Sequence, residues 1–175
     1  MIAIVIVSIV VLLLGLGLYK ARKLQHIHVQ KQVQIATDLT TVYNHVAYLE
    51  NFTKWSPFYE ADPTQITKVT GTDGQVGAQF HWEGNGGKDL GYQEITEIKK
   101  YNYIKMECDI EKPFKAHPTF EYTLEQQEDT IVLTQDFNLE SGLAASFFMW
   151  LFGAKTDMDK MNGRGMELLK QTCEQ

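Results

Sequence analysis

Between Ile2 and Leu18 the chain reads "IAIVIVSIVVLLLGLGL", with no charged residue and a single hydroxyl, Ser8. A run of that length approaches the ~20 apolar residues a helix needs to cross the hydrocarbon core of a bilayer. A buried core helix fits it poorly, since it is apolar on every face. A secretory signal would place positive charge ahead of the run and a small-x-small cleavage site behind it. Here Lys20, Arg22 and Lys23 follow the run, and "GLGLYKARK" offers no such site. The expectation is a retained membrane anchor over residues 1–19, inserted through Ile2 to Leu18. A basic juxtamembrane linker follows over 20–28, then a single domain over 29–175. The positive-inside tendency assigns the domain to the cytoplasmic side.

The formal net charge is −6, and it becomes −9 once Lys20, Arg22 and Lys23 are set aside. An acidic domain repels phosphate backbones, which argues against nucleic acid as a partner. Only the basic collar favours an anionic lipid surface. Cys108 and Cys173 form neither a metal spacing nor a disulfide framework, and two free thiols suit a reducing compartment.

Beyond the linker, "HVQKQVQIA" alternates Val29, Val33 and Ile35 with polar residues, which predicts a strand. Thr37 or Asp38 then caps a helical stretch carrying Leu39, Val42, Tyr43 and Val46. About six strand patterns follow. In "AQFHWE" Ala78, Phe80 and Trp82 share one face, with His81 and Glu83 on the other. In "DLGYQEITEI" Ile95 and Ile98 are out of strict phase, as at a bulge. "YIKMECDI" sets Ile104, Met106, Cys108 and Ile110 against Lys105, Glu107 and Asp109. "TFEYTLE" sets Phe120, Tyr122 and Leu124 against Glu121. "TIVLTQDFNL" offers Ile131, Leu133, Phe137 and Leu139, with Gln135 as a polar exception. Clean alternation predicts an antiparallel sheet with one face on a core and one in water. The C-terminal third is helical, first "LAASFFMWLFGA" and then a long helix capped by Thr156 or Asp157, with Met158, Met161, Gly165, Leu168 and Leu169 on one stripe. Gly163 and Gly165 within it point to a close approach.

"GNGGKD", from Gly84 to Asp89, has the glycines of a phosphate loop but not its context. A phosphate loop joins a strand to a helix N-terminus and follows its lysine with Ser or Thr. Here Lys88 precedes Asp89 and another strand pattern, so the segment is read as a hairpin turn, where Gly and Asn tolerate positive φ. HExxH, CxxC and Gly-x-Ser-x-Gly motifs are absent, and no cofactor is expected.

"FTKWSPFYEADP", "VGAQFHWEGN", "EKPFKAHPTFEYTLE" and "DMDKMNGRGMELLK", in that order, resemble the SRPBCC superfamily, which includes START lipid-transfer domains and polyketide cyclase/dehydrases. The resemblance runs from about Val29 to Leu169. It implies an α+β helix-grip fold, a curved antiparallel sheet around a long C-terminal helix, with an apolar cavity between them. The implied cavity set is Phe80, Trp82, Tyr92, Met106, Phe120, Tyr122 and Leu133, closed by Met158 and Met161, with Trp55 near the entrance. The same residues also suit a packed core. The alternation leaves only Tyr92, Tyr122 and Gln135 as polar groups inside, a poor acid–base set at neutral pH; His117, at a strand entrance, has either face open to it. The function expected is membrane-anchored binding, or binding and transport, of a hydrophobic small molecule or lipid. The alternatives are a cyclase/dehydrase-type enzyme and a scaffold recruiting a protein to its acidic outer face. Phe147 to Phe152, "FFMWLF", is read either as a lip touching the bilayer or as an end-cap on the core.

Overall fold

The computed structural model describes residues 2–175; Met1, first residue of the expected anchor, lies outside them. Helix α1 (Ile2–Arg22) is followed by strand β1 (His26–Ile35), helix α2 (Leu39–Ala47), a 3₁₀ helix (Leu49–Lys54) and helix α3 (Pro57–Ala61). Strands β2 (Ile66–Thr70), β3 (Gln79–Gly84), β4 (Asp89–Lys99), β5 (Tyr103–Lys112), β6 (Thr119–Gln127) and β7 (Thr130–Glu140) come next, then helices α4 (Leu143–Leu151) and α5 (Ala154–Cys173). All seven strands form one antiparallel sheet in the order β1-β7-β6-β5-β4-β3-β2. The α+β architecture is the one the alternation called for.

The residues expected as a linker over 20–28 are shortened from both ends. The helix keeps its hydrogen bonding through Arg22, and β1 begins at His26 because His26 to Ile35 pair without interruption with Glu140 to Ile131. Only residues 23–25 lie between helix and strand.

Local chemistry explains most boundaries. Asp38 caps α2, its carboxylate accepting from the Thr41 backbone N–H at 2.9 Å. Ser56 caps α3 through a 3.3 Å bond from the Tyr59 N–H, and Pro57 occupies the first turn. "GNGG" is a hairpin turn: Asn85, Gly86 and Gly87 all have positive φ between β3 and β4. The cap expected at Thr156 or Asp157 is not used. Gly153, at φ 70°, turns the chain directly from α4 into α5, which starts at Ala154 without a side-chain cap.

The concave face of the sheet is filled unevenly. Over the half nearer the start of β5, Met166, Leu169 and Cys173 of α5 and Val42 and Val46 of α2 pack against Ile95, Ile104, Met106, Leu124 and Leu133. At the other end, where β1 starts and β7 ends, a second cluster joins Ile27, Val29, Phe137 and Leu139 to Met149 of α4. The register makes this the end where α1 joins β1: the pairs His26–Glu140, Asn138–Thr119 and Leu90–Lys112 put the starts of β1, β4 and β6 beside the ends of β5 and β7.

Gly91 lies in a tight spot on this face. A Cβ there would meet the Asp109 carbonyl oxygen at 2.5 Å and the Trp82 ring at 2.6 Å, beside a register shift between Leu90 and Gly91. Gly91→Ala is expected to destabilise the fold by about 1–3 kcal/mol, since the backbone oxygen cannot yield as a side chain would. Denaturant unfolding of the two proteins checks this.

Candidate functional site

Between the two packed regions the sheet and α5 stay apart and leave a cavity of about 290 Å³. That is at the lower end of the size range of small-molecule pockets. Phe80 and Trp82 of β3, Cys108 and Ile110 of β5, Phe120 and Tyr122 of β6 and Phe137 and Leu139 of β7 form its curved wall. Helix α5 closes it with Met158, Met161, Asn162 and Gly165, and α3 with Pro57 and Phe58.

The two helices are held together at this wall. A Cβ on Gly165 would sit 3.3 Å from the Pro57 ring, so glycine permits the approach. Arg164 donates from Nε and Nη2 to the two oxygens of Glu60, at 2.9 and 2.6 Å. That bidentate bond holds the Glu60 carboxyl below its ordinary range. The close approach expected of Gly165 is therefore to α3; Gly163 has only the Lys31 side chain nearby, at 3.7 Å.

Seven of the ten expected cavity residues line the space: Trp55, Phe80, Trp82, Phe120, Tyr122, Met158 and Met161. Trp55 does so from the inner wall rather than the entrance. It is buried, its Nε1–H donates to the His45 carbonyl at 2.9 Å, and its ring meets Tyr122 edge-on. Three of the ten do not line it. Met106 and Leu133 are buried in the half that α5 and α2 fill. Tyr92 is on the outer face: directly opposed residues of paired strands point the same way, and Tyr92 opposes His81, on which its ring rests at 5.4 Å. Its neighbour Gln93 opposes Phe80 and points inward instead. The pattern of β4 hides its phase because Gly91 gives no apolar signal and the register shift between Ile95 and Glu97 moves Ile98 out of step. Gln93 and Ile95, two apart and in phase, were the available clue.

His117 is exposed and stands 3.6 Å from Asp109 on the outer side. Outside the cavity too, Glu121 accepts from the Tyr103 hydroxyl at 2.8 Å and Glu107 pairs with Lys105 at 3.4 Å. Inside, the polar set is Ser56, Gln93, Gln135, Tyr122, Cys108 and Asn162. Gln135 Nε2 donates to the Tyr122 hydroxyl at 3.0 Å, and Asn162 Nδ2 donates back to the Met158 carbonyl at 2.8 Å. Burial pushes the Tyr122 phenol well above its ordinary range and the Cys108 thiol up to about 12. Neither group is a base or nucleophile near neutral pH. Among the described residues no three His, Cys, Asp or Glu side chains gather as metal ligands.

The rim lies at the end of the sheet where α1 joins β1. Lys112 at the end of β5 and Pro113 and Phe114 just after it border the rim, with Asp89 at the start of β4, and Phe114 and Phe58 are exposed there. A curved antiparallel sheet wrapped on a long C-terminal helix, with a cavity between them, decides the architecture. This is the helix-grip fold. Solved structures agree: the Aha1 dimer from Colwellia psychrerythraea matches with a TM-score of 0.59 at 13% identity, over 85% of this chain and 96% of that one. Ara h 8.0201 matches with 0.58 at 9% identity, over 85% and 97%. Major latex-like protein 151 from Panax ginseng matches with 0.50 at 13% identity, over 77% and 96%. These neighbours include Bet v 1-like, SRPBCC-type proteins. No protein-family model matches the chain, and no curated protein does.

The Cys108 thiol supplies a test of burial in this helix-grip domain. Above about pH 8.5 an unfolded chain releases the thiol proton, while the folded one holds it until about 12. Folded stability attributable to this group therefore falls as pH rises through that window. At pH 8, iodoacetamide is expected to spare Cys108 in the native protein and to modify it after denaturation, as peptide mass mapping would show.

Proposed function

We propose that this protein is a membrane-anchored binder of a hydrophobic small molecule or lipid, held in the cavity between sheet and α5. The observation that carries the reading is an apolar cavity whose rim lies at the same end of the sheet as α1 and α4. Helix α1 is long and apolar enough to cross a membrane. In this reading residues 1–19 are the anchor, the collar marks the cytoplasmic face, and the domain from β1 to α5 stands on the cytoplasmic side. The fold shared with Bet v 1-like and SRPBCC-type structures supports an internal ligand site.

Helix α4 supports the membrane part of the proposal. Its Met149 packs on the end of the core, as an end-cap would. Its Phe147 and Trp150 pack on α1 at Gly17, where a Cβ would lie 2.7 Å from the Phe147 ring. Phe148, Leu151 and Phe152 remain exposed beside the exposed apolar length of α1, Phe152 at 74%. Gly17 precedes Lys20 by three residues, about 4.5 Å along a helix. In this reading helix α4 sits at the level where hydrocarbon meets headgroups, and its uncharged outer face suits that position.

Native mass spectrometry of the full chain, released from lipid nanodiscs made with membranes of its own host, tests the reading. An apolar adduct of defined mass is expected. Cys108→Phe, which projects a ring into the cavity, should lower its occupancy at least tenfold while leaving the fold intact by circular dichroism. Only bulk bilayer lipid, bound equally by both proteins, would refute the cavity site. The position of α4 is checked separately. Quenching of Trp150 by lipids brominated along the acyl chain is expected to be strong, and to drop in a Phe148→Ser, Phe152→Ser variant.

A further inference from the structure

The cavity wall holds polar atoms that the protein leaves without partners. Gln93 and Gln135 are only 4% and 3% exposed, yet Gln93 Nε2 and Gln135 Oε1 make no hydrogen bond. Such orphans are uncommon in native proteins; His45 Nδ1 and Thr96 Oγ1 are two more, away from the cavity, whereas Gln93 and Gln135 line it. The Tyr122–Gln135 pair makes their chemistry definite. With Gln135 Nε2 donating to the Tyr122 oxygen, the pair presents a free carbonyl oxygen and a free phenolic O–H. With the amide turned over, Tyr122 donates to Gln135 and the pair presents a free N–H and a free phenolic oxygen. Both arrangements leave one donor and one acceptor on the pair; Gln93 lies farther along the wall, opposite Cys108.

Charge is lacking where these atoms lie. Among the described residues that line the cavity, the charged ones are Asp89 and Lys112, both at the rim and both engaged. Asp89 accepts from Asn85 Nδ2 at 2.6 Å, and Lys112 donates to the Gly87 carbonyl at 3.0 Å. A carboxylate or phosphate carried to the inner wall would lose its water and meet no cation. A hydroxyl or carbonyl would gain its partners once the Gln135 amide rotated toward it, since the unpaired Oε1 itself has almost no open surface.

We infer that Tyr122 and Gln135 form a polar subsite for one neutral oxygen function, a hydroxyl or carbonyl, on a ligand otherwise apolar. Resting on the cavity reading above, this narrows the ligand to neutral alcohols, ketones or esters and excludes anionic amphiphiles bound head-inward.

Matched probes of one chain length test it: dodecanol, dodecane and dodecanoate, titrated into the full chain in phosphatidylcholine nanodiscs. Concentrations are expressed as mole fraction in the lipid, and binding is read from Trp55 and Trp82 fluorescence in a Trp150→Phe background. Dodecanol is expected to bind about tenfold more tightly than dodecane, the return of two hydrogen bonds, and dodecanoate more weakly than dodecanol. The Tyr122→Phe, Gln135→Leu double variant removes both partners at once. It should abolish the alcohol's advantage, leave dodecane affinity unchanged and not lower the melting temperature, and Gln93→Leu should leave the advantage in place. Equal binding of alcohol and alkane by the parent would overturn the subsite, leaving the orphan atoms to water, while the cavity reading stands. Binding of neither would overturn both.

Discussion

One mismatch governs this fold: helix α5 covers the concave face of the sheet with only half of its length. Its C-terminal half brings Met166, Leu169 and Cys173 to the sheet and makes a dense core with α2. Its N-terminal half, "AKTDMDKMNGR", offers little beyond Met158 and Met161. The apolar sheet residues opposite that half, from Phe80 to Leu139, have no matching surface. Interiors are otherwise packed as closely as organic crystals, so a space of this size persists only because rigid elements hold it open. The Gly165–Pro57 contact and the Arg164–Glu60 bridge fix α3 against α5 and brace one wall. The hydrogen-bonded sheet is the other.

The sheet and the long helix were legible in the sequence because alternation with a period of two is hard to mistake where one face meets water. β5 to β7 read correctly for that reason. β4 did not, since Gly91 is silent about its face and the register shift resets the phase. That one slip put Tyr92 inside in place of Gln93, and with it hid half of the unpaired polar chemistry. Cavity wall and packed core use the same residue types, so Met106 and Leu133 could not be told from Phe120 by pattern. What separates them is which part of α5 lies opposite, a long-range fact that no local window contains.

The first apolar run is equally plain in the sequence, but its partner is not. Gly17 looks like any glycine of a hydrophobic helix until Phe147 and Trp150 are found against it. Helix α4, read either as a lip or as an end-cap, has a face for each: Met149 meets the core, while Phe148, Leu151 and Phe152 do not. An all-apolar helix can serve two environments because no charged residue commits either side to water.

The three residues between α1 and β1, together with the α1–α4 contact, bear on motion. A domain on a long disordered tether would tumble and sample a hemisphere above its membrane. This one is joined to its helix almost as a blade is joined to a handle. If α1 lies in a bilayer, the tilt of that helix sets the heading of the sheet. The domain's working radius is then its own length, and a ligand bound for another membrane must be met there by that membrane or by a second carrier.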